Sequence, residues 1–193
     1  MARRAIATSA LGASRWRRLT GHSQPAIRSR ADALYTATGA GRAVEAQART
    51  QRAVLARAGD AGRGGAVFAS FCAACHTFNG SGGRVGPDLS GIRNQPADAL
   101  LLHIAVPDYE ITPGYEAYTV QTRDQRTLFG RLESEAPNSI TLRDAAGQAH
   151  TVLRTDVTAM NSATSSLMPT GLDQAMSPRQ LADLIAYLKS ARR

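Results

Sequence analysis

The hydrophobic positions of this chain follow two different periods after residue 59 and none before residue 43. At the C-terminus Leu181, Leu184, Ile185 and Leu188 recur at helical spacing behind Ser177-Pro178, a cap followed by a first-turn proline, which predicts a helix with one apolar face. Gly64, Phe68 and Cys72 lie four apart and share a face of another helix. Gly64 lets a second helix cross close by, and the C-terminal helix is the expected partner, with Leu184 and Tyr187 around Gly64 and Phe68. Residues 98–106 read as a short apolar helix. Between 115 and 156 the period changes to two, with alternation over 115–122, 127–135, 139–143 and 150–155. Turn signals at 123–126, 136–138 and 144–148 separate these runs, so a four-stranded antiparallel meander is predicted. Residues 43–58 (AVEAQARTQRAVLARA) contain no Gly or Pro and favour a helix, which Gly59-Asp60 stops. Residues 1–42 sustain no period and read as unstructured. The expected fold is mainly α, a helical domain over 59–193 with a β-insert at about 115–156, preceded by an extension over 1–58.

Composition and charge sharpen that division. Apolar residues make up 43% of the 193 residues and charged residues 20%, which is globular and excludes a wholly disordered chain. The formal charge is +8, but it is unevenly spread. Residues 1–63 carry 12 Arg against Asp32, Glu45 and Asp60, a balance of +9; the remainder carries 11 basic and 12 acidic side chains, a balance of −1. The first 63 residues also hold only ten large apolar side chains, too few for a core of their own. A chain beginning at Asp60 is therefore expected to fold. The extension lacks a folded nucleic-acid motif or an aromatic stacking platform, so no nucleic-acid partner is expected. Arg3-Arg4 followed by residues 5–13 has the length of a secretion signal, although Thr and Ser make the stretch weakly hydrophobic. No run of eighteen apolar residues exists, and no transmembrane segment is expected.

The chemistry is concentrated in residues 72–76, Cys72-Ala73-Ala74-Cys75-His76. This is the C-x-x-C-H spacing of c-type haem attachment. Two thiols on one helical turn reach the two vinyl groups of a porphyrin, and the following His stands under the ring to ligate iron. Both cysteines of the chain are used. Three other readings compete. A thioredoxin-like dithiol needs a βαβ context, and none is visible. A zinc site needs a second Cys or His pair, which the isolated His103 and His150 do not supply. A chance occurrence in a structural helix is the third. Downstream, Gly80-Ser81-Gly82-Gly83-Arg84-Val85-Gly86-Pro87-Asp88-Leu89 lacks the Lys-Ser/Thr of a phosphate loop. The Gly-Pro-x-Leu turn resembles the cytochrome c element whose carbonyl orients the haem-ligating His, which implies that task for Pro87 toward His76 and a place at the haem edge for Leu89. Candidates for a sixth iron ligand are Met160, Met168, Met176, His103 and His150. Met168 is preferred because Ser165-Ser166-Leu167-Met168-Pro169 forms a loop ahead of the last helix; a thioether favours Fe(II).

Together these residues resemble a known family, the haem-binding C-x-x-C-H domain of planctomycete and verrucomicrobial type. That domain is often found at the C-terminus of large proteins assigned as membrane-bound dehydrogenases. The likeness runs from about residue 59 to 189. It includes Gly59-Asp60, Gly64 with Phe68, the C-x-x-C-H run, Val85-Gly86-Pro87-Asp88-Leu89, Pro107, Pro113-Gly114-Tyr115-Glu116, Ser166-Leu167-Met168-Pro169 and the run from Leu181 to Leu188. It departs at Asp124-Gln125, where an Asp-Gly turn is more typical. The resemblance implies a class I cytochrome c-like fold, one covalent haem c (heme c) and electron transfer, with His76 and Met168 as axial ligands. It further implies a redox partner, a dehydrogenase, and an extracytoplasmic location where haem is attached. It implies an electron carrier rather than a catalyst. The alternatives are a haem peroxidase or sensor with an open sixth site, and a docking module in which haem is structural.

Overall fold

The computed structural model describes residues 18–37, 51–163 and 165–190. Residues 3–13, read as a signal-like stretch, and residues 43–50 of the expected helix lie outside them. Helix α1 (Pro25–Ala37) falls within the stretch read as unstructured; Ala31 is its buried residue. Residues 51–55 are helical, and Val54 is 1% exposed within the helical core. The stretch ahead of Asp60, expected to offer no core, thus contributes one residue to it. A cut at Asp60 removes a fully buried valine, a loss of about 2 kcal/mol.

The helical core is built on a crossing of α2 (Ala61–Phe71) and the C-terminal helix. Asp60 caps α2, its side chain accepting the Arg63 N–H. The two short strands that follow, β1 (Thr77–Phe78) and β2 (Ser81–Gly82), pair antiparallel. Helix α3 (Ala97–Ala105) buries Leu100, Leu101 and Ile104.

The inserted sheet has five strands, not four: β3 (Ala117–Thr122), β4 (Thr127–Glu135), β5 (Ser139–Arg143), β6 (Ala149–Leu153) and β7 (Val157–Ser162), in the order β6-β5-β4-β3-β7. A 3-10 turn, Arg154–Asp156, reverses the chain so that β7 returns antiparallel beside β3. The insert thus runs beyond residue 156, and mainly α is too narrow a description of the chain. Val120, Ile140, Leu142 and Val152 form the sheet's own core. The fifth strand escapes the sequence pattern because it is an edge strand with no fully buried position, three of its six residues being half-buried and three exposed.

The β3–β4 turn has a local cost. Gln125 adopts φ +64°, a left-handed conformation that a side chain with a Cβ resists. Gln125→Gly is expected to stabilise the protein by about 1 kcal/mol, raising Tm by about 2–4 °C. Differential scanning calorimetry of the two proteins measures this directly.

Two further helices complete the chain, α4 (Leu172–Ala175) and α5 (Pro178–Lys189). The start of α5 is a capping box, with Ser177 Oγ accepting the Gln180 N–H and Gln180 Oε1 accepting the Ser177 N–H. At the α2–α5 crossing a Cβ on Gly64 would come within 2.6 Å of the Asp183 carbonyl carbon and 2.7 Å of Tyr187 Cβ. No larger residue fits without separating the helices. The rings of Phe68, Phe78 and Tyr187 pack together there at centroid distances of 4.8–5.7 Å.

Asp183 is buried at the same crossing, where the apolar pattern of α5 gives no warning of it. Its carboxylate accepts Arg63 Nε at 2.8 Å and Arg63 Nη2 at 3.0 Å, and it accepts the Asp60 N–H at 2.7 Å. The Arg63 hydrogen bonds, and then the Asp60 N–H, hold its pKa below the ordinary carboxylate value. A carboxyl depressed in the folded state contributes stability above its unfolded pKa of about 3.9, and that stability is lost as the pH falls through the lower folded value. Asp183→Asn is expected to be less stable at neutral pH and to show a flatter acid limb. Urea midpoints measured between about pH 2 and 7 on both proteins test this.

Candidate functional site

The C-x-x-C-H run continues directly from α2. The N–H groups of Cys72 and Ala73 both donate to the Phe68 carbonyl, and those of Cys75 and His76 both donate to the Cys72 carbonyl. These turns bring both thiols and the imidazole to one cavity of about 470 Å³. Pro87, Leu89 and Met168 line the same cavity, so it collects all six residues singled out from the sequence.

The glycine-rich stretch folds back on the motif. The Gly83 N–H donates to the Ala73 carbonyl, the Gly86 N–H to the Cys75 carbonyl and the Leu89 N–H to the Thr77 carbonyl, each at 2.8 Å. Its glycines serve this close approach rather than a phosphate. His76 Nδ1 lies 2.9 Å from the Pro87 carbonyl oxygen. A carbonyl only accepts, so Nδ1 carries the proton and Nε2 keeps its lone pair. The ring lies against Gly86, where a Cβ would come 2.7 Å from Nδ1 and 2.9 Å from Nε2. Burial pushes the His76 pKa down, and the Pro87 hydrogen bond opposes this in part. The neutral ring is the ligating form.

Burial pushes the Cys72 thiol up to about 11, with the neighbouring Cys75 adding to the shift; burial also raises Cys75. A redox dithiol needs a lowered pKa, so this environment disfavours the thioredoxin-like reading. Among the described residues no three His, Cys, Asp or Glu side chains cluster to hold a metal ion. Both cysteines are free and partly exposed to the cavity side.

The remaining sixth-ligand candidates divide by position. Met160 sits in β7 paired with Val120 and packs on the sheet core. Met176 is 4% exposed in the helical core. His150 Nε2 lies 2.7 Å from Asp144 Oδ2 on the sheet. His103 lines the cavity with Met168. It belongs to a face that sequence reading left unassigned: Leu100, His103, Ile104 and Pro107 all line the cavity, at the i, i+3, i+4, i+7 spacing of one helical stripe. Tyr115, just ahead of β3, also lines it, and Arg131 of β4 stacks over its ring at 4.8 Å. Arg131 Nη2 donates to the Arg84 carbonyl, so the insert is tied to the loop beside the motif.

The residues present fit a covalently held haem. Two thiols and an imidazole with a free Nε2 share a largely apolar cavity, and the floor under the imidazole is cleared by Gly86. Among the described residues no helix is long and apolar enough to cross a membrane. No curated protein matches the chain. The family model for cytochrome c matches residues 61–192, which spans α2, the whole insert and α5.

Proposed function

The chain belongs to the cytochrome c family, and on that premise we propose that it carries a single haem c with His76 and Met168 as axial ligands and relays electrons one at a time. The observation that carries this reading is the His76 arrangement. Pro87 fixes one ring nitrogen, Gly86 clears the ring, and the other nitrogen is left for iron. Cys72 and Cys75 would hold the group covalently through two thioether bonds. When bound, the haem supplies a one-electron Fe(III)/Fe(II) couple. The protein keeps that couple in a mostly apolar cavity, with Leu89 on its edge. Support for Met168 is that it lines this cavity whereas Met160 and Met176 pack elsewhere.

The haem domain begins near Gly59 and draws Val54 into its core, and a basic extension precedes it. It is of the planctomycete and verrucomicrobial type, its electron donor is a dehydrogenase, and it works outside the cytoplasmic membrane, where haem c is attached.

Potentiometric titration of the purified holoprotein, followed by its visible spectrum, tests the proposal. The expected result is a single one-electron transition, low-spin iron in both states and no binding of carbon monoxide by the reduced protein. High-spin iron with rapid carbon monoxide binding would replace the carrier with a peroxidase or sensor.

A further inference from the structure

Met168 sits on a segment that must cross from the sheet to α4 and present a side chain to the cavity. Behind it the Ala163 N–H donates to the Ala117 carbonyl at 2.7 Å, and ahead of it the turn at Gly171 accepts the N–H groups of Gln174 and Ala175. Between these anchors a carboxylate reaches in from another element. Asp108 Oδ1 accepts the Ser166 N–H at 2.6 Å, across 58 residues of sequence. Ser166 Oγ in turn accepts the Met168 N–H at 3.1 Å.

Asp108 is itself well placed to act as a fixed point. It follows directly on Pro107, which is buried and belongs to the cavity-lining stripe with Leu100, His103 and Ile104. The turn that carries it is closed by the Tyr109 N–H on the Val106 carbonyl at 2.8 Å.

From this we infer that Asp108 is a positioning residue for the sixth iron ligand, holding the Met168 segment against the α3 wall through Ser166. The inference rests on the proposed Met168 ligation and deepens it. A thioether is a neutral, weak ligand, so its retention depends on how firmly its backbone is held. A residue left free to move must be ordered again on each ligation, and that entropy loss weakens retention of the ligand. A hydrogen bond to a carboxylate is about twice as strong as a neutral one, and second-sphere partners of this kind commonly govern how well a ligand is kept. Nothing local in the sequence pairs residue 108 with residue 166.

The test is competition for iron by added imidazole, titrated into the ferric holoprotein and read from the loss of the sulfur-to-iron charge-transfer band. Asp108→Ala is expected to bind imidazole roughly tenfold more tightly than the wild type or better. Asp108→Asn keeps an acceptor oxygen and is expected to fall between the two. Ser166→Ala removes the second link and is expected to rise in the same direction. Equal affinities in Asp108→Ala and the wild type would overturn the inference. If Asp108→Ala gives no folded holoprotein, Ser166→Ala decides, and wild-type affinity there overturns it. The underlying reading fails in a different way, by a wild-type protein that lacks the charge-transfer band before any imidazole is added.

Discussion

Replacing Cys72 and Cys75 together with Ala is expected to convert all of the haem from acid–acetone-resistant to extractable. The wild type should retain its haem through the same treatment. Both thiols line one cavity with His76, and both are protonated at neutral pH because burial raises them. The protein holds no other cysteine, so no substitute bond can form. The doubly substituted chain keeps the apolar lining, the Gly86 clearance and the Pro87-oriented imidazole. It should therefore still fold and bind haem non-covalently, and what changes is attachment. Each single substitution should leave one thioether and resist extraction. Haem that survives extraction from the double variant would overturn the covalent assignment.

Met168→Ala is the second large effect. Removing the thioether takes away a ligand that favours Fe(II), so the reduction potential should fall by on the order of 100–200 mV. For a one-electron couple 59 mV corresponds to a tenfold change in relative ligand affinity. The ferric iron should become high-spin or take up water, and carbon monoxide should bind the reduced protein. Met160→Ala and Met176→Ala serve as controls. Met160 packs on the sheet and Met176 in the helical core, so these variants lose stability and keep spectrum and potential. Spectroelectrochemistry of the three variants separates ligation from packing.

The helical framework was legible because its constraints are local. C-x-x-C-H, the four-residue spacing from Gly64 to Cys72, the Ser177-Pro178 start and the Leu181–Leu188 stripe each state their geometry within a turn or two of helix. The Pro87 carbonyl was legible only through the resemblance of the Gly86-Pro87-Asp88-Leu89 turn to a cytochrome c element, since it lies eleven residues from His76. Four strands could be read from alternation. The fifth, Val157–Ser162, is an edge strand whose outward positions are exposed, so its pattern is weak. Helix α1 is rich in alanine, carries only Ile27, Leu34 and Tyr35 as large apolar side chains and buries only Ala31, which leaves no stripe to detect. Val54 looked like part of an extension because the core it joins lies mostly beyond residue 66.

In the site, the cavity wall formed by α3 and the turn after it was written in the sequence at helical spacing, in Leu100, His103, Ile104 and Pro107, but an apolar stripe does not say what it faces. Asp183 shows the opposite failure. A charged residue within a buried helix face is unreadable until Arg63 and the Asp60 N–H are known to meet it. Tyr115 reaches the cavity through the resemblance-bearing Pro113-Gly114-Tyr115 run, whose purpose only the folded chain discloses.

The near-infrared spectrum of the ferric holoprotein tests the central claim most directly, by magnetic circular dichroism. A His/Met-ligated iron carries a sulfur-to-iron charge-transfer band that bis-histidine and water-ligated irons lack. The account predicts that band in the wild type, its persistence in Met160→Ala and Met176→Ala, and its complete loss in Met168→Ala. A wild-type spectrum without the band, or a band that survives in Met168→Ala, would contradict it.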